Sequence, residues 1–327
     1  MNNMATVDSI KMASRWKMEN MRENYSKTLV ELGKTRNDIV VLNADLSSSV
    51  KTDAFAKMFP ERFFNFGVAE QNMMCAAAGL AVSGKIVFAS TFAVFATGRA
   101  FDQVRQSIAY SKLNVKIVAS HAGITVGGDG ASHQSTEDIA LMRVLPNMTV
   151  IVPTDSIETG KAVKSVVSYA GPTYIRIGRT DVPTLTSTDD VFEIGKSSIL
   201  QDGDDITLIG MGIMVSLSLL AADELKKQGI SARVINMSTV KPIDSKTIIK
   251  AAKETGGIVT AEEHNLLEGM GAAVALELVE NTIVPMKRVG IPDVFGESGE
   301  GDELMEKYGL TVDGIVDAAH DVMKRKK

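Results

Sequence analysis

The chain has 327 residues, 45% of them hydrophobic and 23% charged, with a formal net charge of −5. That length predicts roughly two domains, and the mild acidity argues against a nucleic-acid surface; the only basic run, Lys324–Lys327, reads as a solvated helix end. A single cysteine, Cys75, excludes a disulfide framework and a cysteine metal site within the chain. No apolar run reaches the ~18 residues of a membrane span, and the N-terminus lacks a signal-peptide core, so a cytoplasmic protein without membrane contact is expected.

In chain order, residues 1–17 are polar and Met-rich and read as an N-terminal arm. Residues 18–180 then alternate helical and strand patterns. Helices are expected near Met18–Gly33, Glu70–Ser83, Arg99–Tyr110 and Ser156–Ala170. Asp38–Asn43, Val115–Ser120, Thr149–Val152 and Tyr174–Ile177 read as buried strands. Residues 181–195 are expected to link two domains, because Thr180–Thr188 is rich in Thr, Pro, Asp and Ser without periodicity. Residues 196–327 repeat the alternation. Strands are expected at Ile206–Gly210, Ala232–Asn236, Gly257–Thr260 and Met286–Val289, with helices at Val215–Gln228, Ser245–Thr255, Gly269–Asn281 and Val312–Lys324. The expected fold is α/β: two doubly wound domains, the first built on a mostly parallel sheet and the second smaller.

The chemistry-bearing residues gather where strands are expected to end, the usual place for ligands in α/β sheets. The stretch Phe66-Gly67-Val68-Ala69-Glu70-Gln71-Asn72-Met73-Met74 sets a carboxylate at the head of an apolar helix. A helix so apolar is expected to be covered on nearly all sides, with Cys75 a small buried hydrophobe. Glu70 then requires a protonated nitrogen, a cation or a shared proton to offset lost solvation. A plain acid at a helix start, favoured by the dipole, is the simpler reading. Asn43–Ser49 and Ser120–Gly123 follow two strands; Val152–Ser156 follows another and reads as a helix cap. The Gly-rich turn Gly127–Gln134 lets backbone approach a ligand, and its Asp129 and His133 can orient hydroxyls and move protons. Glu262-Glu263-His264-Asn265 reads as a loop or interface contact rather than a metal site.

From about Met18 to about Asp317 the chain resembles the C-terminal half of transketolase, made as a separate subunit. The GVAEQNM motif at Glu70 resembles the family's pyrimidine-binding motif, in which the Glu activates thiamine diphosphate. The resemblance implies cofactor contacts from the aromatic run Thr91–Phe95, with Phe95 stacking and Phe92 supporting, and from Asp45 near the thiazolium. It implies that Asp129, His121, Arg179, Ser49 and Arg22 bind substrate and that His133 contacts the donor's carbonyl and hydroxyl region. It implies that Glu70 and His133 are catalytic. The family's diphosphate and magnesium motif pairs Gly-Asp-Gly with a later Asn-Asn. Its place here would fall near Thr154–Ile157, which holds no such pair, and the one Asn-Asn is Asn2-Asn3. The resemblance therefore assigns magnesium and diphosphate to an N-terminal partner subunit in an α2β2 assembly. It implies ketol transfer between sugars, one of them a sugar phosphate, and a second domain that mainly supports assembly. The His-Ala-Gly form at His121 leans toward deoxyxylulose-phosphate synthase and the beta subunits of 2-oxo acid dehydrogenases; a non-catalytic regulatory subunit is the remaining alternative. Arg and His grip phosphate and sulfonate alike, so the terminal anion stays open.

Overall fold

The computed structural model describes residues 15–326. Most of the expected N-terminal arm, with Asn2-Asn3, lies outside the described residues. Strands β1 (Met18–Glu19), β2 (Ile39–Asn43), β3 (Phe63–Asn65), β4 (Ile86–Phe92), β5 (Val115–Ser120), β6 (Thr149–Ile151), β7 (Thr173–Arg176) and β8 (Val182–Pro183) come first in the chain. They are followed by β9 (Ser198–Gln201), β10 (Ile206–Gly210), β11 (Ala232–Asn236), β12 (Thr239–Lys241), β13 (Ile258–Asn265) and β14 (Met286–Ile291). The helices are α1 (Met21–Thr35), α2 (Asp53–Met58), α3 (Glu70–Val82), α4 (Asp138–Val144), α5 (Ser156–Ser168), α6 (Met214–Lys227), α7 (Ser245–Thr255), α8 (Met270–Asn281), α9 (Gly301–Lys307) and α10 (Val312–Arg325).

The fold is α/β with two main sheets, as expected, beside a two-stranded β1–β8 ribbon. A 7-stranded sheet runs β12-β6-β7-β5-β4-β2-β3 and a 5-stranded sheet runs β14-β13-β10-β11-β9. Every pairing in the larger sheet is parallel except β12 with β6. The smaller sheet is parallel except for β9. Helices cover both faces, so the inner strands are apolar on both sides: β2, β4, β5 and β10 are buried at every residue. The two sheets also share their cores. Ile175 and Leu208 belong to one hydrophobic cluster, and Tyr174 and Ile209 to another. β12, from the second half of the chain, pairs into the first sheet.

Several expectations are corrected. The first helix starts at Met21, because Met18–Glu19 pairs with Val182–Pro183 and Asn20 caps the helix by accepting from the Arg22 N–H. The segment read as an unstructured linker therefore contains β8. β4 was not expected, although it lies between β5 and β2 in the larger sheet. The helix expected at Arg99–Tyr110 is irregular: π-type turns over Phe95–Arg99 and Val104–Ala109 flank one α turn. Helix α3 is buried on one side only in the single chain; Gln71, Asn72, Cys75, Gly79 and Val82 form an exposed stripe. Cys75 is thus exposed, not a core hydrophobe. Glu262, Glu263 and His264 lie inside β13 and are almost wholly buried, not in a loop.

Candidate active site

The carboxyl ends of β2, β4 and β5 lie side by side: Asn43 pairs with Ser90, and Phe92 with Ser120. Phe92 therefore ends its strand beside His121, and the two rings stack at 3.8 Å between centroids, 20° apart. Phe92 also stacks with Phe95 at 6.0 Å. The His133 ring meets Phe95 edge-on at 5.3 Å. Two aromatic rings and two imidazoles thus form one cluster at the sheet edge. His121 is 4% exposed, and its Nδ1 lies 2.8 Å from the Ser120 hydroxyl. Burial, reinforced by the charges of Arg22, Arg179 and His133, pushes its pKa down to about 3. His121 is therefore neutral at physiological pH; if Nδ1 accepts from the Ser120 hydroxyl, Nε2 carries the N–H and can donate to an anion.

The basic side of the site comes from two chain segments that meet. Arg22, in the first turn of α1, donates to the backbone carbonyls of Ser49 (2.9 Å) and Arg179 (2.8 Å). Arg22 thereby braces two loops, one of them through the Ser49 carbonyl. Burial and the neighbouring Arg179 charge lower the pKa of Arg22. Arg179 donates to the Val126 carbonyl and approaches Asp129 at 3.9 Å, with 44% of its side chain exposed. Two guanidinium groups beside a buried neutral imidazole make an anion-attracting corner. Asp45 stands apart from these contacts. It is exposed, takes a positive φ of 62°, and donates its N–H to Asn65 at 2.9 Å.

Glu70 opens α3 and is 2% exposed. Its partner is Arg99, a residue that no sequence motif marked. Arg99 Nη1 lies 3.0 Å from each carboxylate oxygen. The same guanidinium lies 4.3 Å above the Phe95 ring. The available signal was its place directly after the aromatic run, on the π-type turn that aims it back at α3. Arg99→Ala leaves a buried carboxylate unpaired. Such a loss costs ~3–5 kcal/mol in a closed interior, but the Arg99 side chain is 47% exposed and water will reach the gap. The expected cost is ~1–3 kcal/mol in a denaturant melt. Combining it with Glu70→Gln should remove most of that cost, and strict additivity of the two changes would refute the pairing.

A second buried polar group joins the two sheets behind the site. Arg176 donates to Asp138 at 2.8 Å and to the Glu263 carbonyl at 2.8 Å. Tyr174 also donates to Asp138, at 2.6 Å. Glu262 accepts from the Met270 and Gly271 N–H groups at the start of α8. Among the described residues, no three His, Cys, Asp or Glu side chains gather as a metal site.

Known proteins share this sequence and fold. Residues 17–184 match the model of the transketolase pyrimidine-binding domain, and residues 195–315 match that of the transketolase C-terminal domain. The 6-deoxy-6-sulfo-D-fructose transketolase subunit SqwH of Clostridium sp. (strain MSTE9) is 44% identical over 317 residues, 97% of each chain. An apulose-4-phosphate transketolase subunit of Phocaeicola vulgatus is 42% identical over 305 residues, covering 93% of this chain and 97% of the relative. A solved structure described as a split gene transketolase, inactive beta4 tetramer, superposes with a TM-score of 0.88 at 53% identity, covering 94% of this chain and 99% of that one. The chain belongs to the transketolase family and carries its pyrimidine-binding and C-terminal domains in that order.

Proposed function

We propose that this chain is the C-terminal subunit of a two-subunit, thiamine-diphosphate-dependent transketolase, moving a two-carbon ketol unit from a ketose to an aldose. The observation that carries this reading is Glu70, a buried carboxylate beside the Phe95 ring, on a sheet edge shared with two histidines. The residues fit the cofactor's pyrimidine. The Arg99 guanidinium occupies the space between Glu70 and Phe95, so a planar N–H donor fits there. An aminopyrimidine with a protonated ring nitrogen presents the same pattern, and the half-exposed Arg99 can swing out. Diphosphate and magnesium are assigned to the N-terminal partner subunit.

Bound thiamine diphosphate supplies an electron sink for carbon–carbon cleavage. This chain supplies the positioning and the proton transfers. Glu70 shares a proton with the pyrimidine ring nitrogen, and Phe95 holds the ring by stacking, supported by Phe92. His133 lies at the Phe95 edge, where it can pass a proton to or from the donor's hydroxyl. Asp129 orients a substrate hydroxyl. Neutral His121 and Arg179 hold the terminal anion, with Arg22 keeping the Ser49 and Arg179 loops in register. Asp45, at the end of β2, is left to face the thiazolium side. The paired guanidinium groups favour a donor ending in an anion over a short 2-oxo acid, which has nothing to place there.

The test is reconstitution with the N-terminal subunit and a screen of phosphorylated, sulfonated and neutral ketose donors. Both anions belong in it, because the names of the two relatives span a sulfonated and a phosphorylated sugar. Ketol transfer confined to the mixture supports the reading, and transfer of an acyl group to a lipoyl carrier would replace it. Arg179→Ala should weaken anionic donors by ~1.5–3 kcal/mol, the scale of a charge-assisted hydrogen bond. The loss should fall on KM, since a remote anion is held alike in ground and transition states. Equal losses for neutral donors would remove Arg179 from anion binding.

A further inference from the structure

The loop from His121 to Gln134 carries three of the candidate site residues, His121, Asp129 and His133. One short antiparallel bridge, Gly123 with Ser135, closes its base. Much of its support comes from the second half of the chain. The Glu263 carboxylate accepts the Thr125 N–H at 2.8 Å. Burial pushes the Glu263 carboxyl above the usual carboxylate range, and the Arg176 charge, the Thr125 N–H and hydroxyl and the Ile124 N–H pull against that rise. The loop backbone lies directly on this carboxylate: Gly123 sits at φ +79°, and a Cβ added there would clash with it. Further along, a Cβ on Gly130 would meet the Ser298 hydroxyl at 2.5 Å, and Gln134 donates to the Glu297 carbonyl at 2.9 Å. Asn265, at the end of β13, donates its N–H to the Thr136 carbonyl at 2.7 Å.

Glu263 is itself fixed. It is 4% exposed and lies toward the end of β13, past the last pair with β10 at Ala261 and inside the register shift against β14 between Ala261 and Asn265. Its backbone carbonyl accepts from Arg176, which Asp138 locks in place. A buried carboxyl whose backbone is anchored by Arg176, and which accepts from the loop's Thr125 N–H, sets where that loop sits. Hydroxyl recognition and proton transfer depend steeply on such placement.

We propose that Glu263 is a positioning residue: from the second domain it holds the His121–Gln134 loop so that Asp129 and His133 meet the substrate. This assigns the second domain a part in the site beyond assembly. For its kinetic consequence it rests on the ketol-transfer reading above; for the loop itself it does not.

The test uses two measurements on Glu263→Gln, which keeps the volume but turns an amide NH₂ toward loop donors. In the isolated chain, amide hydrogen exchange over 123–134 should quicken about tenfold, while β2, β4 and β5 keep their protection. In the reconstituted complex, kcat/KM for the donor should fall at least about tenfold, and the dissociation constant of thiamine diphosphate should stay unchanged. If Glu263→Gln fails to fold, Glu263→Asp decides: it keeps the charge beside Arg176 but withdraws the carboxyl from the loop, and the same confined exchange is expected. Unchanged exchange in the loop, or equal acceleration across both sheets, would overturn the proposal. Absence of ketol transfer by the unsubstituted complex would strike the functional reading alone, because the exchange result stands without it.

Discussion

Glu70→Gln is expected to lower turnover of the reconstituted complex by ~10²–10⁴, the range for a positioned acid–base group. The substitution keeps the side chain's size and its place at the head of α3. It removes the capacity to share a proton with a ring nitrogen. Folding should be largely kept, because the amide oxygen can still accept from Arg99 and the half-exposed Arg99 can reach water. The fall should appear in kcat as well as in kcat/KM, since proton sharing matters during the reaction and not only in binding. Steady-state assays beside a thermal melt separate lost chemistry from lost fold. Near-normal turnover would leave Glu70 as an acid favoured by a helix N-terminus and paired with Arg99.

Much of this site was legible because α/β sheets collect function at one edge. The polar cluster after Val115–Ser120 and the Gly-rich turn beyond it pointed to His121 and His133, whereas Phe92 came from the family resemblance alone, since the strand that it ends was not expected. Glu70 stood out because an acid heading an apolar helix must have a partner. The partner itself was not legible. Arg99 lies 29 positions away and reaches Glu70 only through a π-type turn, which carries no 3.6-residue pattern. β4 was hidden for a related reason. Its Ser90 and Thr91 look like loop residues, yet both are fully buried, and Ser90 is partnered by the Tyr25 hydroxyl at 2.7 Å. Glu263 was misplaced because charged residues rarely sit inside a buried strand; the nearby Arg176 charge and the Thr125 N–H offset its burial, and both come from far along the chain. Cys75 looks buried in the sequence because a pattern of Ala, Met and Gly says that a helix needs cover, not which molecule provides it.

That uncovered stripe leads to the second large effect. The isolated chain is expected to show no ketol transfer and little affinity for thiamine diphosphate, and adding the N-terminal subunit should restore both. In the proposed reading Glu70 and Phe95 of this chain hold the pyrimidine end and the partner holds the diphosphate and its magnesium, so neither chain would hold the whole cofactor. A site split in this way lies at a subunit interface. Glu70 heads α3, whose stripe of Gln71, Asn72, Cys75, Gly79 and Val82 is exposed, Val82 to 74%. Small and apolar residues at this spacing allow close approach by another helix, and a two-fold axis would bring the same stripe of a second copy against it. A second exposed apolar surface lies on and just after α8, where Leu276, Val279 and Ile283 are 55%, 73% and 87% exposed. Patches of this kind mark contact surfaces, so the chain alone should self-associate and the mixture should reach an α2β2 mass. Light scattering or native mass spectrometry, run beside the activity assay, decides the matter. Robust turnover by the isolated chain, or a chain that stays monomeric when mixed with its partner, would break the link between Glu70 and a shared cofactor.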